Sequence, residues 1–348
     1  MTPENDAATV NDKMSEARVR QYLDALAKPP GSLGRLEDLA VRLSVTAGTL
    51  SPVTSPRSLV VFAADHGATA SGVSLWPQTV SGVVAQTLLA GKAAASVMAK
   101  AAGANVRLVD VGLACGQLRA HPRLFRARVL AGTRNLAEED ALTQEEFERA
   151  LEIGAEAAAQ EIATGAKVLI AGEIGIGNTT SAAALIALLC DATVEDVLGN
   201  GAGATAESLV AKANAIGRGL ERARGHRDRT VQIASVAGLE IAAMAGFYVE
   251  AAARGTPVVL DGAMAAAAAL IAQELAPACV GRMIAAHLSS EPAHRIALER
   301  LGLSPFLDWG MRLGEGTGAL AVLPLLDAAA AILSDMASLD EAMALANG

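Results

Sequence analysis

The sequence predicts an α/β protein, with a doubly wound, mainly parallel sheet covered by helices on both faces and a small helical domain built from the two ends of the chain. Three observations carry that expectation. Five short, continuous, mostly apolar runs alternate with long stretches of helical period, as strands covered on both faces require. Both ends of the chain read as helix, with no strand candidate. Of the 348 residues 52% are hydrophobic but only 3% aromatic (five Phe, two Trp, two Tyr), so the core is built from Ala, Val and Leu and its layers must approach closely.

In chain order, residues 15–27 place apolar side chains at helical spacing, KPPGS (28–32) breaks the pattern, and 33–47 resumes it. The strand candidates are LVVFA (59–63), VRLV (106–109), KVLIA (167–171), PVVL (257–260) and RMIAA (282–286). The helical segments between them make right-handed crossovers, so the sheet is mainly parallel; the order of its strands is not readable. From residue 303 a glycine-rich turn, a long apolar helix and a short helix over 338–346 follow. The expected layout is helices in 1–50, a large α/β domain over 51–302, and a 303–348 segment that completes the small domain.

Charge and composition exclude several function classes. Lys+Arg 28 against Asp+Glu 37 gives a net charge of −9, which offers no general grip on a polyanion. The aromatic residues are too few to stack on single-stranded nucleic acid. Cys115, Cys190 and Cys279 are odd in number and form no CxxC, so reduced thiols are expected rather than a disulfide framework or a zinc site. The first twenty residues have no apolar core of the signal-peptide kind. The charge-free stretch 67–91 carries Pro77, two Gln and several Ser, Thr and Gly; hydrocarbon tolerates these poorly, whereas a glycine-rich loop entering a buried helix suits them. A cytoplasmic protein, without membrane or nucleic-acid partners, is the expectation.

The residues that follow each strand carry the functional argument. They read DHG (65–67), DVG (110–112), EIGIGNTT (173–180), DG (261–262) and HLSSE (287–291). In an open parallel sheet such loops converge on a crevice at the carboxyl edge. Each alone is also ordinary turn or cap chemistry; five together indicate a site assembled from several loops. In GEIGIGNTTSAAAL (172–185) the glycines let a ligand approach the backbone, and Asn178, Thr179 or Thr180 is placed to cap a helix whose N-terminus favours an anion. The stretch is neither a Walker A loop nor a GxGxxG, and a capped tight turn remains its alternative. GNGAG (199–203) exposes successive N–H groups to a phosphate or carboxylate, ahead of the helix that carries Lys212. By itself Lys212 reads equally as a surface lysine. Glu315, between glycines in GEGTG (314–318) with Arg312 just before, is held by backbone yet left open, as a general base must be; helix-N-terminal electrostatics would account for it as well. His66, His287 and His294 fall near the crevice with no HxH or HExxH around them, so structural hydrogen bonding is expected of them. His121 and His226 are expected at the surface. No GxSxG is present.

These motifs, taken together in order, resemble one family. KPPGSLGRLEDLA (28–40), AADHG (63–67), GTRN (132–135), the 172–185 stretch, GLEIAAMAG (238–246), VVLDG (258–262), SSEPAH (289–294) and LDWGMRLGEGTGA (307–319) are similar to the nicotinate-nucleotide:dimethylbenzimidazole phosphoribosyltransferases, which assemble the lower loop of cobalamin. The match runs from about residue 28 to 333. It implies a Rossmann-like sheet, a small helical domain, a homodimer, and no cofactor or metal. It implies that nicotinate mononucleotide and 5,6-dimethylbenzimidazole give α-ribazole 5′-phosphate and nicotinate, with inversion at the ribose C1′. By the same matching Glu315 is the base that takes the benzimidazole proton, and Glu173 and Lys212 line the base and ribose. Gly175, Gly177, Gly201 and Gly203, with Ser289 or Ser290, hold the 5′-phosphate. Asn178, Asp261, Leu313 and Gly314 complete the expected substrate-binding set.

The match loosens around the base. Trp76 precedes Pro77 where a tyrosine or small residue is usual, Gln86 is the nearest glutamine to a family position, Ala263 and Met264 replace a bulkier pair, and Trp309 replaces an aliphatic residue. With Ser74, the residues Trp76, Gln86, Met264 and Trp309 are the base-pocket candidates, and which base is accepted stays open. Two other readings rank lower. An NAD(P)-dependent oxidoreductase would need a GxGxxG after the first strand and an acidic residue about 20 positions on. A non-catalytic base- or nucleotide-binding protein would have no use for Glu315.

Overall fold

The computed structural model describes residues 14–114, 118–201 and 203–347. Its strands are β1 (Arg57–Ala64), β2 (Ala104–Gly112), β3 (Leu124–Arg126), β4 (Val168–Ile174), β5 (Val258–Leu260) and β6 (Met283–Ala285). All pair in parallel, in the order β3-β2-β1-β4-β5-β6. Helices α1 (Glu16–Asp24) and α2 (Arg35–Ala47) precede the sheet; α3 (Val80–Leu89) and α4 (Ala94–Ala101) join β1 to β2, and α5 (Gln144–Ala163) leads into β4. Between β4 and β5 lie α6 (Asn178–Cys190), α7 (Val194–Val197), α8 (Ala206–Gly225), α9 (Arg229–Ala234) and α10 (Leu239–Ala253). Then α11 (Ala263–Leu275) joins β5 to β6, and α12 (Pro292–Leu301), α13 (Thr317–Asp335) and α14 (Leu339–Asn347) close the chain.

The five expected strands all form. The sixth, β3, was not expected: its three residues pair with β2 alone, with Phe125 and Arg126 exposed, so it has no continuous apolar run to announce it. Alternation along the central strands builds three layers. Val60, Phe62 and Ala64 face a core shared with α5, α6, α10 and α11, while Leu59, Val61 and Ala63 face one shared with α1, α2, α4 and α13. Small residues set the helix spacing. Gly154 of α5 lies against the Ala243 carbonyl of α10, and Gly246 of α10 against that of Leu151, with no room for a Cβ at either. The larger rings gather at one point, where Phe247 meets Phe62 edge-on at 5.8 Å and Tyr248 at 6.2 Å.

The two ends of the chain meet on the second face. Val19, Leu39 and Leu43 share that core with Leu320 and Leu323, and Leu26 bridges to Ser338. Two helical stretches, Val80–Ala101 and Thr317–Asp335, are long and apolar enough to cross a bilayer. The first is broken between α3 and α4. The second is α13, packed on α2 and α4, with Pro324 inside it and Asp327 paired to Arg57 at 2.9 Å. Cys190 and Cys279 are unpaired, their thiols pushed up to about 11 by burial; Cys115 lies outside the described residues. His121 and His226 are half-buried rather than exposed, because the Arg123 N–H donates to His121 Nδ1 (3.1 Å) and Asp140 pairs with His226 (3.0 Å).

Candidate active site

The strand order reverses between β1 and β4, so the loops leaving their carboxyl ends diverge and open a crevice. A cavity of about 250 Å³ occupies it. Trp76, Val80, Val84, Met264 and Leu313 give it apolar wall; Glu173, Asn178, His287, Glu291, Arg312 and Glu315 are among its polar groups.

Glu315 is held by its turn. It adopts a left-handed backbone (φ 60°) between Gly314 (87°) and Gly316 (84°), a conformation that costs a residue with a Cβ about 1–2 kcal/mol. Two contacts impose it. The Asp261 carboxylate accepts the N–H groups of Gly316 (3.0 Å), Gly318 (2.7 Å) and Ala319 (3.2 Å), which pins the entry of α13. On the other side Gly172 of β4 lies so close that a Cβ there would sit 2.5 Å from the Glu315 carbonyl. The Ala95 backbone, in the first turn of α4, favours the charged form of the Glu315 carboxyl, whose Oε2 is buried without a partner. Burial pushes this carboxyl above its ordinary range against the influence of the Ala95 backbone, and the Asp261 charge pushes it further.

Glu173, at the end of β4, is buried beside it. Asn178 donates to its Oε2, and its Oε1 packs against the Gly314 backbone. Burial first, then the charges of Glu240 and Asp261, raise it well above the usual carboxylate range, so it is held toward its proton-bearing form. The two carboxyls differ in surroundings: Glu173 has an amide partner on one oxygen, whereas Glu315 keeps one buried oxygen unpartnered.

The glycine turns are braced from behind. Gly177 (φ 94°) is the N-cap of α6, and none of Asn178, Thr179 and Thr180 caps that helix with its side chain, contrary to expectation: Asn178 is engaged by Glu173. Ser81 Oγ accepts the Ile176 N–H at 3.0 Å. His66 lies under Gly175 and pairs with Glu240 at 2.8 Å; burial lowers this imidazole, but the two carboxylates Glu240 and Asp65 outweigh it and the net shift is upward. The Ser289 N–H donates to His294 Nδ1 (2.9 Å), and burial holds His294 down at about 3. His287 lies 3.4 Å from Asp261. In the 199–201 loop Glu291 accepts the Gly201 N–H (2.9 Å), while Lys212 donates to the Gly199 carbonyl (2.8 Å) and to Thr179 Oγ1 (3.0 Å).

Of the residues singled out in the sequence, Glu315, Glu173, Gly175, Asn178, Gly201, Ser289, Leu313, Gly314, Trp76 and Met264 reach the cavity wall. Asp261 and Lys212 stand one layer back, on the turns that form it. Gly177 and Gly203 flank those turns, and the Ser290 N–H is used on the Met311 carbonyl (3.2 Å). Ser74 accepts the Trp76 N–H (3.1 Å), Gln86 turns away to accept the Arg119 N–H (3.1 Å), and Trp309 is 67% exposed, off the wall. Sequence reasoning missed Ser81, and it placed Gly172 and Glu291 in the loops of the site without giving either a role of its own. Only Gly172, a glycine inside a buried strand, carried a local signal of close backbone approach. Among the described residues no group of three or more His, Cys, Asp or Glu could hold a metal ion.

Fold and site together define an α/β enzyme of the doubly wound class, with a buried, partly unpartnered carboxyl on the wall of the crevice at its switch point. A family model described as phosphoribosyltransferase matches residues 8–344. The nicotinate-nucleotide–dimethylbenzimidazole phosphoribosyltransferase of Thermus thermophilus is 47% identical over 326 residues, covering 94% of this chain and 97% of that one. The Corynebacterium efficiens enzyme of the same name is 44% identical, covering 95% and 89%. The crystal structure of CobT from Thermus thermophilus superposes with a TM-score of 0.91 at 46% identity, over 94% of this chain and 98% of that one. The chain belongs to the nicotinate-nucleotide–dimethylbenzimidazole phosphoribosyltransferase family. Neither the oxidoreductase nor the non-catalytic reading has support from these relatives.

Proposed function

We propose that this enzyme transfers the phosphoribosyl group of nicotinate mononucleotide to 5,6-dimethylbenzimidazole. The bond from C1′ to the pyridinium nitrogen breaks, its electron pair returning to the ring that leaves as nicotinate. One benzimidazole nitrogen attacks C1′ from the opposite face, and the proton on the other passes to Glu315. The products are α-ribazole 5′-phosphate and nicotinate, inverted at C1′. The observation that carries this reading is the Glu315 carboxylate, buried at the cavity wall with Oε2 unpartnered, on a turn that backbone contacts force into a left-handed conformation. A buried carboxylate raised above its usual range is a stronger base than an exposed one, and its negative charge offsets the cation that develops on the ribose.

Trp76, Val80, Val84, Met264 and Leu313 suit a flat apolar ring, which supports a benzimidazole over a base with a second polar edge. The exposed side chains Leu75, Trp76, Trp309 and Leu313, close to the cavity in sequence or on its wall, support a homodimer that covers this region. The helices of 1–50 and the 303–348 segment form, on this reading, the small domain that delivers the Glu315 turn to the large one, and the two unpaired thiols fit a cytoplasmic setting. A single-turnover assay tests the function: enzyme at micromolar concentration with both substrates should release nicotinate and form the ribazole phosphate, identified by mass. No nicotinate release under those conditions overturns it.

A further inference from the structure

Three carboxyl groups on the cavity wall, Glu173, Glu291 and Glu315, confront any anionic ligand, and among the described residues Arg312 is the one Lys or Arg on that wall. Two groups expected at the nucleotide, Gly201 at its phosphate and Lys212 at its base and ribose, are already engaged. The Gly201 N–H is given to Glu291, and the Lys212 ammonium, buried behind the loop, is given to the Gly199 carbonyl and Thr179. Arg312 spends one N–H on the Gly201 carbonyl (3.2 Å), and its exposed guanidinium keeps its remaining donors. A planar guanidinium can hold a carbonyl with one donor and still offer a parallel pair to a phosphate.

We propose that Arg312 binds the 5′-phosphate of the nucleotide and, through the Gly201 carbonyl, ties the 199–201 loop to the turn that carries Glu315. The assignment rests on the proposed function in taking a phosphorylated nucleotide as the ligand. Arg312 stands three residues before Glu315 in the chain. Phosphate recognition and placement of the base therefore share one short segment, and a nucleoside without phosphate forfeits both.

The experiment compares binding of nicotinate mononucleotide and nicotinate riboside, by calorimetry, to wild type, Arg312→Gln and Arg312→Lys. Loss of a charge-assisted contact should weaken the mononucleotide about 10- to 100-fold in Arg312→Gln, with the riboside changed by less than about twofold and Arg312→Lys in between. Arg312 is exposed, so thermal melting should show the variants folded as wild type is. Equal weakening of both ligands, or none of either, overturns the assignment. Nicotinate release separates the two ideas. Wild type that releases none, yet shows the phosphate-dependent loss on substitution, upholds Arg312 and overturns the transfer reaction. Normal turnover with unchanged mononucleotide binding by Arg312→Gln does the reverse.

Discussion

Glu315 is doubly unfavourable to the fold, through a left-handed backbone and a buried charge, and both serve its accessibility to substrate. Glu315→Gln removes the charge alone. Turnover should fall about 10²- to 10⁴-fold with mononucleotide binding retained, while thermal stability at neutral pH rises; unchanged nicotinate release removes Glu315 from the role of base. A base of the proposed kind works ionised, so kcat should fall as pH drops through a pKa above the ordinary 4.5. A pH profile flat until 4.5 contradicts that. Trp76 predicts a different signature. Trp76→Ala should raise the KM for the base about 3- to 10-fold, the worth of a lost ring contact, and leave nucleotide binding alone. Trp309→Leu, on a side chain off the cavity wall, should change neither.

At the scale of elements, two glycines separate catalysis from stability. Gly172 lets β4 touch the Glu315 carbonyl, and Gly154 lets α5 touch α10. Gly172→Ala should displace the Glu315 turn and, with Glu315 as the proposed base, abolish most turnover, with a smaller effect on melting. Gly154→Ala puts a methyl group against the Ala243 carbonyl in a helix crossing that contributes nothing to the cavity wall. It should destabilise the protein by about 1–3 kcal/mol or more and leave kcat of the folded fraction intact. Calorimetric melting beside initial rates reads both. The strands that meet at the site were legible in the sequence because each is a short apolar run covered on both faces. The edge strand β3 was not, since a strand paired on one side and exposed has no such run.

For the molecule as a whole, buried ionisable groups set how stability follows pH. The His66 imidazole is raised by Glu240, so the native state binds this proton more tightly than the unfolded chain does. Its contribution is full below 6.5, the ordinary value, and is lost as pH rises through the raised one. His294, held at about 3, acts in the opposite sense: the unfolded chain takes up its proton first, and stability falls as pH drops below 6.5. The melting temperature should therefore decline on the alkaline side, and His66→Asn should flatten that limb. A limb that keeps its slope in the variant excludes His66 as its source.

Local chemistry was enough to determine the alternation of strand and helix, the glycine turns after the strands, and the GEGTG turn that frees Glu315, because backbone preference and hydrophobic period act over a few residues. Tertiary structure alone decided the strand order and which groups at the site remain available. Asp261 reaches the Gly316 N–H across 55 positions of sequence, Glu291 the Gly201 N–H across 90, and His66 meets Glu240 across 174. Those partnerships and the bonds of Lys212 to Gly199 and Thr179 engage Gly201 and Lys212 and leave Arg312 and Glu315 facing the cavity, while burial raises Glu173 and Glu315. Burial and hydrogen-bond satisfaction belong to segments distant in the chain, so they exist only once the sheet has brought its carboxyl edge together.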